Sequence, residues 1–587
     1  MLGNVIRRSA TLVLICVVLT LTGTARAQSV SNVPIGWPAI DGLQRELPSA
    51  KDVGPPKSDR WVGIFYFLTH NSHVPGSDVH DISKVLAADP QALMHTDSPA
   101  WGPAGGEYYW GEPLYGYYLS TDPWVIRRHA QLLSLAGVDT LIFDTTNVET
   151  YPKTYSTICE VFTEMRRAGE QTPQICFMVN TQAGKTADRL YHDLYEPGRF
   201  KELWFQWRGK PLLICDPKEA SADVKTFFTL RAAHWPFKLV NTHNGWHWES
   251  TYPQVFSYDD DPKKPEEVNV AVAQNLRASD GRVTNMSEGN ARGRSFHDGR
   301  EDTSAGAINQ GYNFAEQWKR ALELNPPFVM VTGWNEWTAG RFGKGSPYVF
   351  VDQFDEEFSR DIEPMRGGHA DNYYYQLVAN VRRYKGAQPI PAASSPKTID
   401  IAGSFDQWRD VGPEYAGSKD DAQPRDFDGA AGLHYSNATA RNCFQTLKVA
   451  RDAKKVYFYV RTHKPLTAPT DPNWMQLLLR TGGDAPTWEG YDFIVNREPG
   501  EKGSTWIEHC EGGWKWKRVA KVALQTNGNE LQLAIPRELL HQQQPGNAFS
   551  IEFKWADNVQ RPGDIMDSYS SGDVAPAGRF RFRYEGR

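Results

Sequence analysis

Residues 61–385 carry short apolar runs, rich in β-branched side chains, separated by stretches with apolar positions at helical spacing. The runs at 61–68 (WVGIFYFL), 138–143, 174–179, 211–215, 238–241, 254–258, 268–273 and 328–332 read as strands, each covered on both faces. Between them, helical spacing predicts helices over 121–136, 154–170, 187–195, 220–233 and 313–324. The first opens on Thr121-Asp122-Pro123, a cap followed by proline in the first turn, and stops at Gly137. A closing helix at 371–384 places Tyr374, Leu377, Val378, Val381 and Tyr384 on one face. About eight strands alternating with helices over this length predict an α/β fold, a (β/α)8 TIM barrel at residues 61–385.

Residues 386–397 (GAQPIPAASSPK) have the composition of a linker, and the pattern then changes. Short alternating runs at 398–401, 456–460, 475–479, 491–495, 531–535 and 549–553, separated by turn residues, predict a β-sandwich domain over 398–587. At the other end, Arg7 and Arg8, the apolar run 10–21 and Ala25-Arg26-Ala27 make residues 1–27 a cleavable signal peptide, followed by a lead-in at 28–60. Export to the periplasm or the medium is expected. No other apolar stretch is long enough for a membrane anchor.

Composition narrows the function classes. A net charge of -6 over 587 residues gives no nucleic-acid footprint. Twenty Trp and 25 Tyr exceed what such a core requires and suggest aromatic binding surfaces. One of the six cysteines, Cys16, lies in the signal. Cys159, Cys176 and Cys215 read as buried thiols, while a Cys443–Cys510 pairing is left open. No Cys-x-x-Cys or zinc spacing occurs, and neither a metal nor a cofactor is expected.

The chemistry-bearing residues concentrate where strands end. The run 328–332 empties into Gly333, Trp334, Asn335, Glu336 and Trp337. A carboxylate between two indoles suits a sugar, whose C–H face stacks on an aromatic ring while Glu and Asn bond its hydroxyls. Asp144 ends the second strand, and Asn180 and Asp216 end the third and fourth. The next loop holds Trp246, His247, Trp248 and Glu249. A long aromatic insertion after the first strand holds Trp110, Glu112 and Tyr115, and another loop holds His297 and Asp298; both are expected to line the substrate. The acidic runs 259–261 and 355–357 read as solvated faces. His70, His73, Asp78, His80 and Asp81 offer a rival, metal-dependent reading, but their spacing lacks a His-x-His strand end.

On Gly333-Trp334-Asn335-Glu336-Trp337, on Asp144 and on Trp248-Glu249, residues 60–385 resemble the family 71 and family 99 glycoside hydrolases and the related WbsX-like proteins. Ile399 to Trp408 (IDIAGSFDQW) and 449–460 (VARDAKKVYFYV) are similar to a family 9 carbohydrate-binding module. The resemblance implies a hydrolase of O-glycosidic bonds in a polysaccharide, with Glu336 catalytic. It also implies a second carboxylate three residues later, where this chain has Ala339. Asp144 is the first choice to replace it and Glu249 the reserve. The ends of strands two and eight lie ~9 Å apart at ~4.8 Å per strand, a gap that suits an inverting pair. A catalytically silent glycan-binding protein is the alternative that Ala339 raises.

Overall fold

The computed structural model describes residues 31–70, 79–95, 98–102, 107–342, 349–418, 423–498, 500–541 and 549–586. The signal segment 1–27 lies outside them, as do His73 and Asp78. The first half is built on eight strands: β1 (Trp61–Tyr66), β2 (Thr140–Thr145), β3 (Gln174–Val179), β4 (Lys210–Ile214), β5 (Thr229–His234), β6 (Gly245–His247), β7 (Glu267–Ala271) and β8 (Phe328–Thr332). They lie in the order β6-β5-β4-β3-β2-β1-β8-β7, every neighbouring pair parallel. The result is a mixed α/β architecture around a nearly closed, largely parallel barrel.

The seam runs between β6 and β7. The small strands Thr242–His243 and Ser257–Tyr258 extend the β7 side, and the His247 backbone N–H donates to Glu267 Oε2 at 3.2 Å across the gap. Helices α1 (Pro123–Ala136), α2 (Pro152–Arg167), α3 (Ala183–Leu190), α4 (Ala222–Phe227), α5 (Tyr312–Leu324) and α6 (Asn372–Lys385) cover the outside. The loops after β5 and β6 carry none. Helix α1 begins and ends where its sequence predicts: Asp122 accepts from the N–H of Trp124 at 3.0 Å, and Gly137 takes the left-handed conformation at φ 79°.

Strand alternation sorts the core. Val62, Ile64, Leu141, Phe143, Val329 and Val331 face the helices. Phe65, Phe67, Ile142, Cys176, Met178, Leu212, Ile214, Phe328 and Met330 fill the barrel. Gly63 is the exception on the inner face, because a side chain there would meet the Phe328 ring at 2.6 Å.

Three expectations are corrected in this half. The helix expected over 220–233 ends at Phe227, and its second part is strand β5. Arg231 of β5 is buried and donates to Glu266 at 2.7 and 2.6 Å, while its strand neighbours are only partly buried, so a charge stands where the alternation needs an apolar residue. The strand expected at 238–241 is displaced, pairing starting at Thr242, and that expected at 254–258 shortens to Ser257–Tyr258.

The second half is built on one large antiparallel sheet, beside a separate hairpin of Arg425–Asp428 with His434–Asn437. Its order is Glu414–Ala416, Phe444–Arg451, Lys455–Thr462, Glu530–Pro536, Lys515–Asn527, Ser504–Gly512, Phe493–Val495, Gln476–Arg480, Phe549–Asp557 and Asp573–Ala575, with Phe582–Gly586 also on Phe549–Asp557. It rolls around Leu447, Val449, Phe458, Val460, Leu477 and Phe553 until the Phe444 N–H donates to the Asp573 carboxylate, tying one end of the sheet to the other. A continuous, barrel-like ladder thus stands where two separate sheets of a sandwich were expected. Residues 398–401 form no strand. Cys443 and Cys510 are both buried and unpaired.

The halves share buried contacts. Arg579 Nε and the Tyr569 hydroxyl both donate to Asp371 Oδ2 at 2.7 Å, and Arg425 Nε donates to Asp122 Oδ2 at 2.8 Å. Tyr569 and Phe580 pack in the same cluster as Tyr374 and Tyr375 of α6.

Candidate active site

The C-terminal end of β8 is tied to that of β1 by Asn335, whose Oδ1 accepts from the Phe67 N–H at 2.9 Å and whose Nδ2 donates to the Phe67 carbonyl at 3.2 Å. The next residue is thereby set over the barrel mouth. The Glu336 N–H donates to Asp361 Oδ1 at 2.6 Å, and its carbonyl accepts from Trp110 Nε1 at 3.0 Å. Two donors converge on one oxygen of its side chain: Gln353 Nε2 at 2.6 Å and Arg360 Nη2 at 3.1 Å, both on Oε2. Among the described residues nothing donates to Oε1.

Arg360 organises the remaining charges. Its Nη1 donates to Glu249 Oε1 at 2.9 Å, its Nη2 lies 3.5 Å from Asp352 Oδ1, and its guanidinium sits 5.4 Å from the Trp248 ring. Glu249 also accepts the Asn275 N–H at 3.3 Å, and Asn275 Nδ2 donates to Asp352 Oδ1 at 3.4 Å. The side chains differ sharply in access: Glu249 is 0% exposed, Arg360 2%, Glu336 13% and Asp352 49%.

Burial shapes the titration of this cluster. It pushes the Glu336 carboxyl well above the usual range; Arg360 opposes that, and the negative charges of Asp352 and Asp361 add to it. Burial likewise pushes Glu249 up to about 7 against Arg360, and Asp361 up to about 6. Arg360 loses by burial and gains more from its carboxylates, Glu249 first, so it stays charged. A buried acid and a more open carboxyl group thus stand around one fixed cation, the group types that general acid–base chemistry uses.

Asp144 ends β2 beneath the same mouth. It is buried, and its Oδ1 accepts from the N–H and hydroxyl of Thr146 at 3.0 and 2.8 Å. Burial raises its pKa, and after the bonds to Thr146 the charge of Asp352 raises it further. The negative fields of Asp144 and Asp352 therefore meet. Tyr151 beside them is pushed up to about 12, by burial first and then by Asp144.

Several expected substrate contacts belong to the interior instead. Trp334 is buried with its ring edge-on to His129 and Tyr374. Trp337 stacks on Trp110 at 4.4 Å and donates from Nε1 to Glu363 at 2.6 Å, so both indoles beside Glu336 point into the core. Asn335 is consumed by its latch to Phe67. Trp246 is packed on Phe328 and donates to Glu266; His247 is buried against Glu267; Tyr115 is buried on Trp124. Glu249, fully buried, reaches the mouth only through Arg360. Beside Glu249, Trp248 of the same loop borders the cluster, 5.4 Å from the Arg360 guanidinium.

The other expected contacts are solvent-facing. Asn180 is exposed at the end of β3, and Asp216, partly exposed at the end of β4, accepts the Lys218 N–H at 2.9 Å. Glu112 pairs with Arg366 at 3.1 Å and Lys84 at 3.4 Å. His297 lies between Asp298 and Asp302, at 3.0 and 3.4 Å, and packs on Tyr312, on a hairpin against α5. Asp298 is exposed and takes part through that pairing.

Ala339 is buried beside Tyr108, Phe350 and Phe354, its N–H donating to the Tyr108 carbonyl at 2.9 Å. The residues of the metal reading are likewise dispersed: His70 packs on Tyr118, His80 on Tyr108, and Asp81 caps the helix at 82–88. Among the described residues no group of three His, Cys, Asp or Glu is arranged to hold a metal ion.

Asp352, Gln353, Arg360 and Asp361 were not anticipated. Their one signal is positional: Asp352-Gln353 follows the apolar Val349-Phe350-Val351, and Arg360-Asp361 lies between Phe358 and Ile362. The run 355–357, expected to be a solvated face, is partly buried; Asp355 accepts the Phe358 N–H and Glu357 the Ser295 N–H, each at 2.8 Å.

No family model matches the chain, and no curated protein matches it. Among solved structures, the chain is similar to a GH99 endo-alpha-mannosidase from Bacteroides thetaiotaomicron, at 15% identity over 56% of this chain and 99% of that one, TM-score 0.33. The same enzyme in complex with BIS-TRIS-propane gives 14%, 56%, 97% and 0.33. An alpha-fucosidase from Thermotoga maritima in complex with fucose gives 11% identity over 84% of this chain and 96% of that one, TM-score 0.23. At such scores these likenesses bear no weight on fold or function.

Proposed function

We propose that this chain is an exported glycoside hydrolase acting on a polysaccharide, its barrel of the (β/α)8 type and its C-terminal half a glycan-binding domain. The observation that carries the reading is the sharing of Arg360 Nη2 between Glu336 Oε2, at 3.1 Å, and Asp352 Oδ1, at 3.5 Å. Those contacts keep the two oxygens within about 7 Å of each other at the open end of a parallel barrel, where barrel enzymes act. Cleaving an acetal needs a proton on the leaving oxygen and a carboxylate to attack or to activate water. Both groups stand here.

Glu336 is the proton donor. Burial favours its protonated form, both of its neighbours occupy Oε2, and Oε1 is left to carry the proton. Asp352, half exposed, is the second carboxyl group, taking the place of the one absent at Ala339. Asp144 flanks the pair, and Glu249 holds Arg360 in register. The chemistry calls on protons and water and on no cofactor.

Release of reducing ends from a panel of polysaccharides tests this. The wild-type chain is expected to release them, with the Glu336→Gln and Asp352→Asn variants nearly inert. A wild type silent on every polysaccharide, or an active Glu336→Gln variant, overturns the reading. An active Asp352→Asn beside a dead Asp144→Asn moves the second role to Asp144.

A further inference from the structure

The outer face of the antiparallel sheet is covered on one side only. Ile399, Phe405, Trp408 and Val411 pack over Ala450, Tyr457, Tyr459 and Ala534. Beyond this cover the face stays open as a cleft of about 860 Å³, walled by the 402–409 segment and the turn at 525–530. Period-2 alternation decides its chemistry: Leu447, Val449, Phe458 and Val460 point into the core, so Thr446, Lys448, Tyr459 and Arg461 point out into the cleft.

The charged lining is balanced. Arg409, Lys448 and Arg461 stand against Asp406, Glu414 and Glu530. These groups are held in place before any ligand arrives. Lys448 Nζ donates to the Trp408 carbonyl at 3.2 Å and lies 3.4 Å from Glu414; Thr446 donates to Glu414 at 3.3 Å; Arg461 Nη2 donates to Thr446 at 3.2 Å; and the Tyr459 hydroxyl donates to Glu530 at 2.6 Å. Arg461 reaches the cleft through its outer guanidinium, its Nε being closed off from solvent and without a partner among the described residues.

We infer that this cleft binds a neutral oligosaccharide segment, a glycan site separate from the barrel mouth. An anionic ligand would face three carboxylates and a cationic one three cations. Only a neutral polyol uses donors and acceptors together, each hydroxyl giving and taking a bond. The inference rests on the glycan reading of the previous section and specifies where the second half engages the polymer.

Native electrophoresis of the full chain in gels containing mannan, arabinoxylan or mixed-linkage β-glucan, with alginate as the anionic control, tests it. Retardation by at least one neutral polysaccharide and none by alginate is expected. Arg461→Gln and Lys448→Gln should each weaken retardation at least tenfold, and Thr526→Trp, which fills the cleft from an exposed position, should do the same in a chain of unchanged melting temperature. All three should release reducing ends from a short soluble substrate at the wild-type rate. Free migration of the wild type in every neutral gel, stronger retardation by alginate, or full retardation of the Thr526→Trp variant overturns the inference. The hydrolase reading is scored separately, because Glu336→Gln should lose turnover while keeping its retardation.

Discussion

Glu249 and Glu336 are held by the two amino groups of one guanidinium: Arg360 Nη1 donates to Glu249 Oε1 at 2.9 Å and Nη2 to Glu336 Oε2 at 3.1 Å. One glutamate is sealed in protein and the other faces the mouth. The buried one therefore sets how much of the cation's charge the other feels.

Glu249→Gln tests that coupling. With its competitor neutral, Arg360 acts on Glu336 undiluted and lowers its pKa. The alkaline limb of the kcat/KM profile should move to lower pH, with KM nearly unchanged. A profile identical to the wild type would reduce Glu249 to packing.

The same group makes stability depend on pH. Its folded pKa, about 7, lies above the ordinary 4.5, so between these values the folded chain binds more protons than the unfolded one. The stability it contributes is complete below pH 4.5 and lost as pH rises towards 7. Denaturant midpoints of the wild type should therefore fall more steeply over this window than those of Glu249→Gln.

Glu336→Gln preserves shape and removes the transferable proton. A loss of ~10³-fold or more in kcat is expected, with substrate binding retained. Asp352→Asn should lose a comparable factor, and Asp144→Asn, one residue back from the shared cation, a smaller one. Single-turnover rates on the active polysaccharide decide the ranking.

Arg360→Gln should do two things at once. Removing the cation lets the Glu336 pKa climb, shifting the alkaline limb to higher pH. It also leaves Glu249 buried without a counter-charge, at a cost of ~3–5 kcal/mol. A variant as stable as the wild type would mean that Glu249 is already neutral in the folded chain.

The buried Asp371–Arg579 pair, at 2.7 Å, ties α6 of the barrel to the second half. Arg579→Ala takes the counter-charge from buried Asp371, so the chain should lose ~3–5 kcal/mol. Scanning calorimetry should show the wild type unfolding in one transition, and the variant at a lower temperature. Two resolved wild-type transitions would show that these contacts do not couple the halves.

What the sequence determined by itself is whatever depends on neighbours along the chain. Six of the barrel strands and the ends of α1 follow from apolar runs, a capping Asp122 and a stopping Gly137, all local signals. Glu336 was legible for the same reason: a carboxylate just past a buried strand is a short-range pattern. Tertiary structure alone decided the rest. The indoles beside Glu336 turn inward because Asn335 latches onto Phe67, 268 residues away, and leaves them facing His129 and Trp110. Asp352 and Arg360 join the site because a later loop folds back over the mouth, and nothing near them in the chain says which strand they will meet. Strand β5 was hidden because its Arg231 is paired with Glu266, a partner 35 residues on. A charge reads as exposed until its counter-charge is brought to it, and that pairing is made by the fold.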